Sequence, residues 1–330
     1  MAKISLFYLS HSRFGGWVTY TVHLIRSLKQ VGLDVELYEI KGRTEAKKRM
    51  FSEEIDYQNL SLEDACKVAE EDVCIVLALS NRYYNEGLEV LKRCKNLVFH
   101  DPAEFSQEFA EFIQKQDINV ITIRHAVREF LAGQGVKSKT ILHPYVPYEI
   151  YGKDKDWNAV SIARICWDKN THMLYEANAI LDAEGLSDKK CKIYGWDNRA
   201  YSLRKLQPLF PDWRKDWLGQ FGYGEGVQLA GRSKFAVDLT YIRNDGGGTQ
   251  YTFLEAWDAG AVLVLNSAWL AYKKDCLKDG QNCLSVENGV ELARLLSGPT
   301  SYQEIALAGK AMLANHAPEI IIPAYFDALE

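Results

Sequence analysis

At 330 residues, with 47% apolar and 25% charged residues, the chain has a globular composition and is too long for one ordinary core. No stretch approaches the ~18 consecutive apolar residues of a membrane span. A net charge of −5 excludes a uniformly basic surface, so any contact with nucleic acid must come from local patches.

Residues 4–9 read as a buried strand, too short and too soon polar for a signal peptide, and the Gly15-Gly16 turn follows at once. The expectation is a cytoplasmic protein. Residues 18–30 read as a helix with Val18, Leu24, Ile25 and Leu28 on one stripe. Residues 35–40, 73–79, 96–99 and 119–123 read as further buried strands with helices between them. This βαβ pattern implies a parallel sheet covered on both faces. His143-Pro144-Tyr145-Val146-Pro147-Tyr148 then breaks the pattern as a proline linker. The alternation resumes with strands at 159–163, 192–194, 235–239 and 261–265, and with helices at 171–184 and 251–258. A last helix is read over 301–314, followed by Pro318 and Pro323. The fold class is thus α/β, with two Rossmann-like domains, 1–145 and 146–310, and a C-terminal segment, 311–330. Seven cysteines lie scattered without a Cys-x-x-Cys pair, which argues against a disulfide framework or structural zinc.

Four constellations carry chemistry, and each also has a plain structural reading. Ser12-Arg13-Phe14-Gly15-Gly16-Trp17 opens a helix after the first strand. Free N–H groups and adjacent glycines there suit an anion, although an ordinary tight turn has the same look. It is neither a dinucleotide fingerprint nor a Walker loop. Arg164 and Lys169 follow the first strand of the second half, where both can reach one diphosphate or can be a surface pair. Asp245-Gly246-Gly247-Gly248-Thr249-Gln250 leads into a helix carrying Glu255, a carboxylate among apolar residues. It either meets the two hydroxyls of a ribose or projects to solvent. His100-Asp101-Pro102 ends a strand, as a proton-handling pair or as a turn.

Together these residues resemble the GT-B glycosyltransferases, in particular the retaining GT4-like group. Arg164/Lys169 and Leu254-Glu255-Ala256 to Gly260 match that group in order and spacing, over nearly the whole chain. The resemblance implies parallel sheets facing a central cleft, with the acceptor on the first domain, a nucleotide-sugar on the second and the C-terminal segment 311–330 packing back on the first domain. It places Gly15, Gly16, Trp17, Arg164, Lys169, Asp245, Gly247, Gly248, Thr249 and Gln250 at the donor diphosphate and sugar. Glu255 falls to the donor ribose and Tyr194 to the vicinity of the nucleobase. Position 247 is glycine where the group often carries a second glutamate, which leaves the sugar open, a hexose such as glucose or a pentose such as arabinose. His100-Asp101, the Tyr251 to Glu255 segment and the Tyr194-Gly195 turn further resemble phage enzymes that glycosylate 5-hydroxymethylcytosine in duplex DNA.

The resulting expectation is a UDP-sugar-dependent, retaining transferase, monomeric, without membrane association, cofactor or metal. Asp101 and His100 are its catalytic pair, and double-stranded DNA with a modified pyrimidine is its acceptor. A phage-encoded enzyme of this kind would work in the host cytoplasm. The alternative acceptors are a saccharide, a lipid or a protein. Asp154-Lys155-Asp156 is read as surface. The basic runs at 41–49, 204–205 and 214–215 either hold phosphates or are solvated helix faces. Trp17, Tyr83, Tyr84 and Trp196 are the aromatics that could stack on an extruded base.

Overall fold

Short apolar runs, buried on both faces, set the centre of the first sheet. β1 (Lys3–Leu9), β2 (Asp34–Ile40), β3 (Gln58–Leu60), β4 (Val73–Leu79), β5 (Asn96–Phe99), β6 (Asn119–Thr122) and β7 (Lys139–Thr140) pair in the order β3-β2-β1-β4-β5-β6-β7, all parallel. β4, VCIVLAL, has six of its seven residues buried, as a central parallel strand requires. The crossovers are α1 (Gly16–Gln30), α2 (Leu62–Glu71), α3 (Tyr84–Cys94), α4 (Gln107–Gln116) and α5 (His125–Gly133). Ser106 caps α4 by accepting the Phe109 N–H at 3.1 Å. The computed structural model describes residues 3–10, 15–40, 55–71, 73–150, 154–241, 248–271, 276–298 and 302–329.

The second sheet is built from β8 (Trp157–Ile162), β9 (Cys191–Tyr194), β10 (Ser233–Asp238), β11 (Val262–Asn266) and β12 (Leu284–Val286), in the order β12-β11-β10-β8-β9, again all parallel. Its crossovers include α6 (Thr171–Ala183). The β9–β10 connection is unusual: short helical turns α7 (Arg199–Tyr201) and α8 (Gln207–Leu209) flank a π-helical turn, Ser202–Leu206. α9 (Glu225–Gly231), α10 (Tyr251–Asp258), α11 (Gly289–Ser297) and α12 (Gln303–Ala311) follow.

Residues Met1–Val146 together with Ala314–Glu330 form one compact unit, and Pro147–Leu313 form the other. The C-terminal return arises because Pro318 and Pro323 do not terminate the helical region. α13 (Pro318–Leu329) begins at Pro318, where no N–H is needed, and continues through Pro323. The proline forfeits one helical hydrogen bond. Burial of Ile321, Ile322 and Tyr325, worth roughly 2 kcal/mol each, outweighs that loss. α13 packs on α1 and β6, and the Tyr325 hydroxyl is hydrogen-bonded to that of Tyr20.

Each sheet has one place where the strand order reverses, between β1 and β4 in the first and between β8 and β10 in the second. Loops leaving the carboxyl ends of strands diverge at such a point and open a crevice. In the first unit, the segments after β1 and β4 border it. In the second, the segments after β8 and β10 do so, and they carry Arg164, Lys169, Gly248, Thr249 and Gln250.

Candidate functional site

In the second unit, the segment after β8 is fixed by backbone pairing. Ile165 N–H donates to the Trp196 carbonyl at 2.9 Å, and Asn198 N–H donates to the Ile165 carbonyl at 3.0 Å. The adjoining Gly195 has φ 153°, and a Cβ there would lie 1.8 Å from the Ala163 carbonyl oxygen, so only glycine lets the two segments meet. Arg164 stands on this fixed backbone with an exposed side chain. Among the described residues it makes no ion pair or side-chain hydrogen bond, so its guanidinium fork is available to an anion.

Lys169 differs. It ends a 3-10 turn, Trp167–Lys169, and its side chain is 15% exposed. Its ammonium donates to Thr240 Oγ1 at 2.5 Å, to Gln250 Oε1 at 3.1 Å and to Asp238 Oδ2 at 3.3 Å. Asp238, at the end of β10, also accepts from Thr252 Oγ1 at 2.5 Å, from Thr240 N at 2.9 Å and from the Thr240 hydroxyl. Burial alone would raise this carboxyl, but Lys169 and the two threonines more than offset burial and hold it below its ordinary value. Sequence reasoning missed Asp238, Thr240 and Thr252, since no motif marks them.

Gly248 and Thr249 are buried, and Gln250 is the residue before the first turn of α10. Asp245 and Gly247 lie outside the described residues. Glu255, one turn into α10, is half-buried and has no side-chain hydrogen bond among the described residues. Burial, and then the charge of Asp258, pushes its carboxyl up to about 8. Asp258 is itself buried and accepts the Tyr148 N–H at 2.8 Å. Tyr194 stacks on Trp157 with ring centroids 6.2 Å apart, and Trp157 is in turn covered by Arg232 at 4.0 Å and Lys192 at 4.8 Å. Asp154 and Asp156 precede β8, at the end of the strand away from Arg164, and Asp156 is paired with Arg232. Arg214 lies over Trp213 and Trp217 and pairs with Asp197, while the 41–49 run is outside the described residues.

In the first unit, His100 and Asp101 follow β5. The His100 Nε2–H donates to the Leu77 carbonyl at 2.7 Å, which fixes the tautomer and leaves Nδ1 as acceptor. Burial is the main reason that His100 is lowered to about 4, and Arg124 adds to it, so the ring is neutral at physiological pH. Tyr20 meets the ring edge-on at 4.8 Å, and Trp17 lies 5.9 Å away. The fold therefore brings Trp17, from the start of α1, beside His100. Gly15 and Gly16 open the same helix, and a Cβ at either would meet nothing within 4 Å.

Arg124, after β6, reaches across to this loop. Its Nη2 donates to the His100 carbonyl at 3.1 Å and lies 3.8 Å from Asp101 Oδ2. Glu104, brought back by the 3-10 turn Pro102–Glu104, takes the His100 N–H at 3.5 Å, and its Oε1 is buried without a hydrogen-bond partner among the described residues. Burial, and then the neighbouring Asp101, drives Glu104 well above the ordinary carboxylate range. Arg124 and Glu104 belong to no motif; the arginine just past a strand was their only signal. Tyr83 and Tyr84 pack against the core, whereas Trp196 is 40% exposed.

No family model and no curated protein matches the sequence. Solved structures do. HepE from Anabaena, in complex with UDP and glucose, superposes with a TM-score of 0.74 at 14% identity, over 100% of this chain and 99% of that one. The fold is GT-B. An alpha-glucosyltransferase in complex with UDP and a 13-mer DNA containing an HMU base also has a TM-score of 0.74, at 12% identity over 99% of both chains. An alpha-glucosyltransferase in complex with UDP and a 13-mer DNA containing a central A:G mismatch superposes at 0.72 and 13% identity over 100% of both. The likeness spans the whole chain. No helix among the described residues is long and apolar enough to cross a membrane.

Proposed function

We propose that this chain is a UDP-sugar-dependent glycosyltransferase that moves a hexose or pentose, with retention, to a hydroxymethylated pyrimidine of duplex DNA. The observation that carries the donor half is the switch point of the second sheet. Among the described residues, an Arg164 without an ion pair, the N-terminus of α10 and a Glu255 carboxyl without a hydrogen bond are carried by the segments that leave it. UDP matches that set, with a diphosphate for Arg164 and the helix N-terminus and a ribose diol for Glu255. HepE and the alpha-glucosyltransferase both hold UDP on this fold.

In the reaction, the acceptor oxygen bonds to the anomeric carbon as the bond from that carbon to the β-phosphate oxygen breaks. Negative charge grows on the departing UDP, where Arg164 and the helix N-terminus lower its energy. The proton released by the acceptor hydroxyl passes to the Asp101 carboxylate, which Arg124 orients. Neutral His100 keeps Nδ1 as an acceptor for a second donor group of the acceptor, separate from the reacting hydroxyl. The cationic groups meet the diphosphate charge, so the scheme calls for no divalent metal. For a base within a duplex, the nucleotide must first leave the stack. The DNA acceptor draws support from the DNA complexes of the alpha-glucosyltransferase.

The test is incubation with UDP-sugars and duplex DNA, with and without 5-hydroxymethylcytosine, followed by mass spectrometry of the nucleosides. A hexose or pentose adduct confined to the modified base is expected. Transfer to saccharide, lipid or protein in place of DNA would overturn the acceptor, and absence of UDP binding would overturn the donor site.

A further inference from the structure

The connection from β9 to β10 carries a helix that the donor chemistry does not use. Asn198 caps it by accepting the Tyr201 N–H at 3.1 Å, and it runs through α7, the π-helical turn and α8 to Leu209. In the π turn the Gln207 N–H donates to the Ser202 carbonyl, and the next residue, Pro208, has no N–H to give. Tyr201, Ser202 and Leu206 are buried, while Leu203 and Arg204 are exposed. The Tyr201 hydroxyl accepts the His172 N–H at 2.8 Å, and the Ser202 hydroxyl donates to Asp197. The helix is thus tied to the start of α6.

Its outward face is basic. Arg199 and Arg204 are exposed, Lys205 is half-buried, and no Asp or Glu occurs between Asp197 and Asp212. Among the described residues none of these three cations makes an ion pair. The basic run that follows is different. Arg214 pairs with Asp197 at 3.5 Å and Lys215 with Asp212 at 2.6 Å. Two runs that look alike in the sequence therefore differ in the fold, one neutralised by its neighbours and the other not. Aromatic surface borders the cations. Trp167, 45% exposed, meets Tyr201 edge-on at 5.0 Å, and Trp196, 40% exposed, lies just before the helix. The Trp196 carbonyl accepts the Ile165 N–H, so this surface is continuous with Arg164.

Charge decides the kind of partner. With a net charge of −5, the chain as a whole repels a polyanion, which can be held only where cations gather without acids. From Arg199 to Lys205 the helix extends about 9 Å. Duplex DNA carries one charge per about 1.7 Å of its axis, so about five phosphates fall within that span, enough to engage all three cations.

We propose that this helix is a phosphate-binding surface for the duplex acceptor, with Arg199, Arg204 and Lys205 each taking a backbone phosphate and Trp167 and Trp196 beside them. This rests on the reading of DNA as the acceptor. Only the backbone is held here, which fixes the position of the duplex without reading its sequence; the reacting base meets the first unit.

The test is the fluorescence anisotropy of a labelled duplex containing 5-hydroxymethylcytosine, titrated at several KCl concentrations. With Arg199→Ala, Arg204→Ala and Lys205→Ala combined, binding at low salt is expected to weaken by about ten-fold or more. The slope of log Kd against log salt becomes shallower by about 2.7, three contacts at about 0.9 each. Arg214→Ala with Lys215→Ala, the locally paired run, changes the slope by less than about 0.9. In turnover the triple variant raises KM for duplex and keeps kcat within about two-fold, because phosphates are held alike in ground and transition states. Its UDP affinity and melting temperature stay at wild-type values, which separates the surface from the fold.

An unchanged slope in the triple variant, with wild-type protein binding duplex, overturns the surface and leaves the DNA reading standing. Equal losses in both variants overturn the assignment to this helix. If wild-type protein binds no duplex even at low salt, the acceptor reading falls, and the surface with it. Binding to phosphatidylserine vesicles that the triple variant loses while it keeps duplex binding would give the surface to anionic lipid instead.

Discussion

The two units treat charge in opposite ways at the carboxyl ends of their sheets. In the first, titratable groups are crowded together and buried until their charged forms are disfavoured. His23, His100, His143 and His316 are all held below the usual imidazole range, chiefly by burial, and Glu104 is pushed up for the same reason. In the second, charge is kept. Arg164 is unpaired among the described residues, and Asp238 is held ionised by Lys169 and two threonines. Neutral, desolvated groups suit hydrogen bonding to an uncharged acceptor, and fixed charges suit an anionic leaving group. Under the proposed function, the acceptor meets the first unit and the diphosphate the second.

The largest change would be loss of the first unit itself. Ending the chain at Leu313 removes α13, with Ile321, Ile322, Tyr325 and the Tyr20 hydrogen bond. That burial approaches the whole stability of an ordinary domain, about 5–15 kcal/mol. Thermal melting of the truncated chain is expected to lose the transition of the first unit and keep that of the second. Two unaltered transitions would show that the C-terminal helix is not part of the first core.

Next in size is Asp101→Ala. Turnover falls by about 10² to 10⁴-fold, the usual worth of a positioned acid or base. UDP affinity stays within about two-fold, since Asp101 lies in the first unit. Comparable losses in both quantities would erase the division of labour between the units. The converse is Arg164→Ala, for which UDP binding weakens by about ten- to 100-fold, as expected of a bidentate charged contact. Arg164→Lys restores only part of it, because a point charge cannot reproduce the fork. Full recovery with lysine would mean that net charge, not geometry, holds the diphosphate.

How far the sequence revealed this contrast depends on whether a group is read by its chain neighbours or by its spatial ones. β4 and β8 announce themselves as short apolar runs, and the βαβ alternation is local. Arg164 and Glu255 were visible because a motif fixes their spacing. Asp238, Thr240 and Thr252 were not, because β10 and α10 meet only in the folded chain. Arg124 and Glu104 reach the His100 loop in the same tertiary way. α13 escaped because its two prolines read as breakers. A proline at the first helical position costs nothing, and apolar burial outweighs the second.

Glu255 breaks the rule that the second unit keeps its charges, and so it offers the finest test of the comparison. Burial first, and then Asp258, raises it from an ordinary 4.5 to about 8, and Tyr251 is the other titratable group coupled to it. At pH 7 the ligand-free carboxyl is therefore mostly protonated. The folded state binds the extra proton between 4.5 and 8, so the ligand-free chain loses stability as pH rises through that window. Ribose hydroxyls donating to this carboxyl favour its ionised form and lower its value in the complex. UDP binding at pH 7 then releases a proton, and UDP affinity rises with pH toward 8, by at most about ten-fold per unit. Calorimetry in buffers of different ionisation enthalpy counts the proton directly. Glu255→Gln, neutral at every pH, removes the release and flattens the profile. Proton uptake in place of release, or a profile unchanged in Glu255→Gln, would take the ribose away from Glu255. It would also leave the second unit as a diphosphate site whose sugar contacts lie elsewhere.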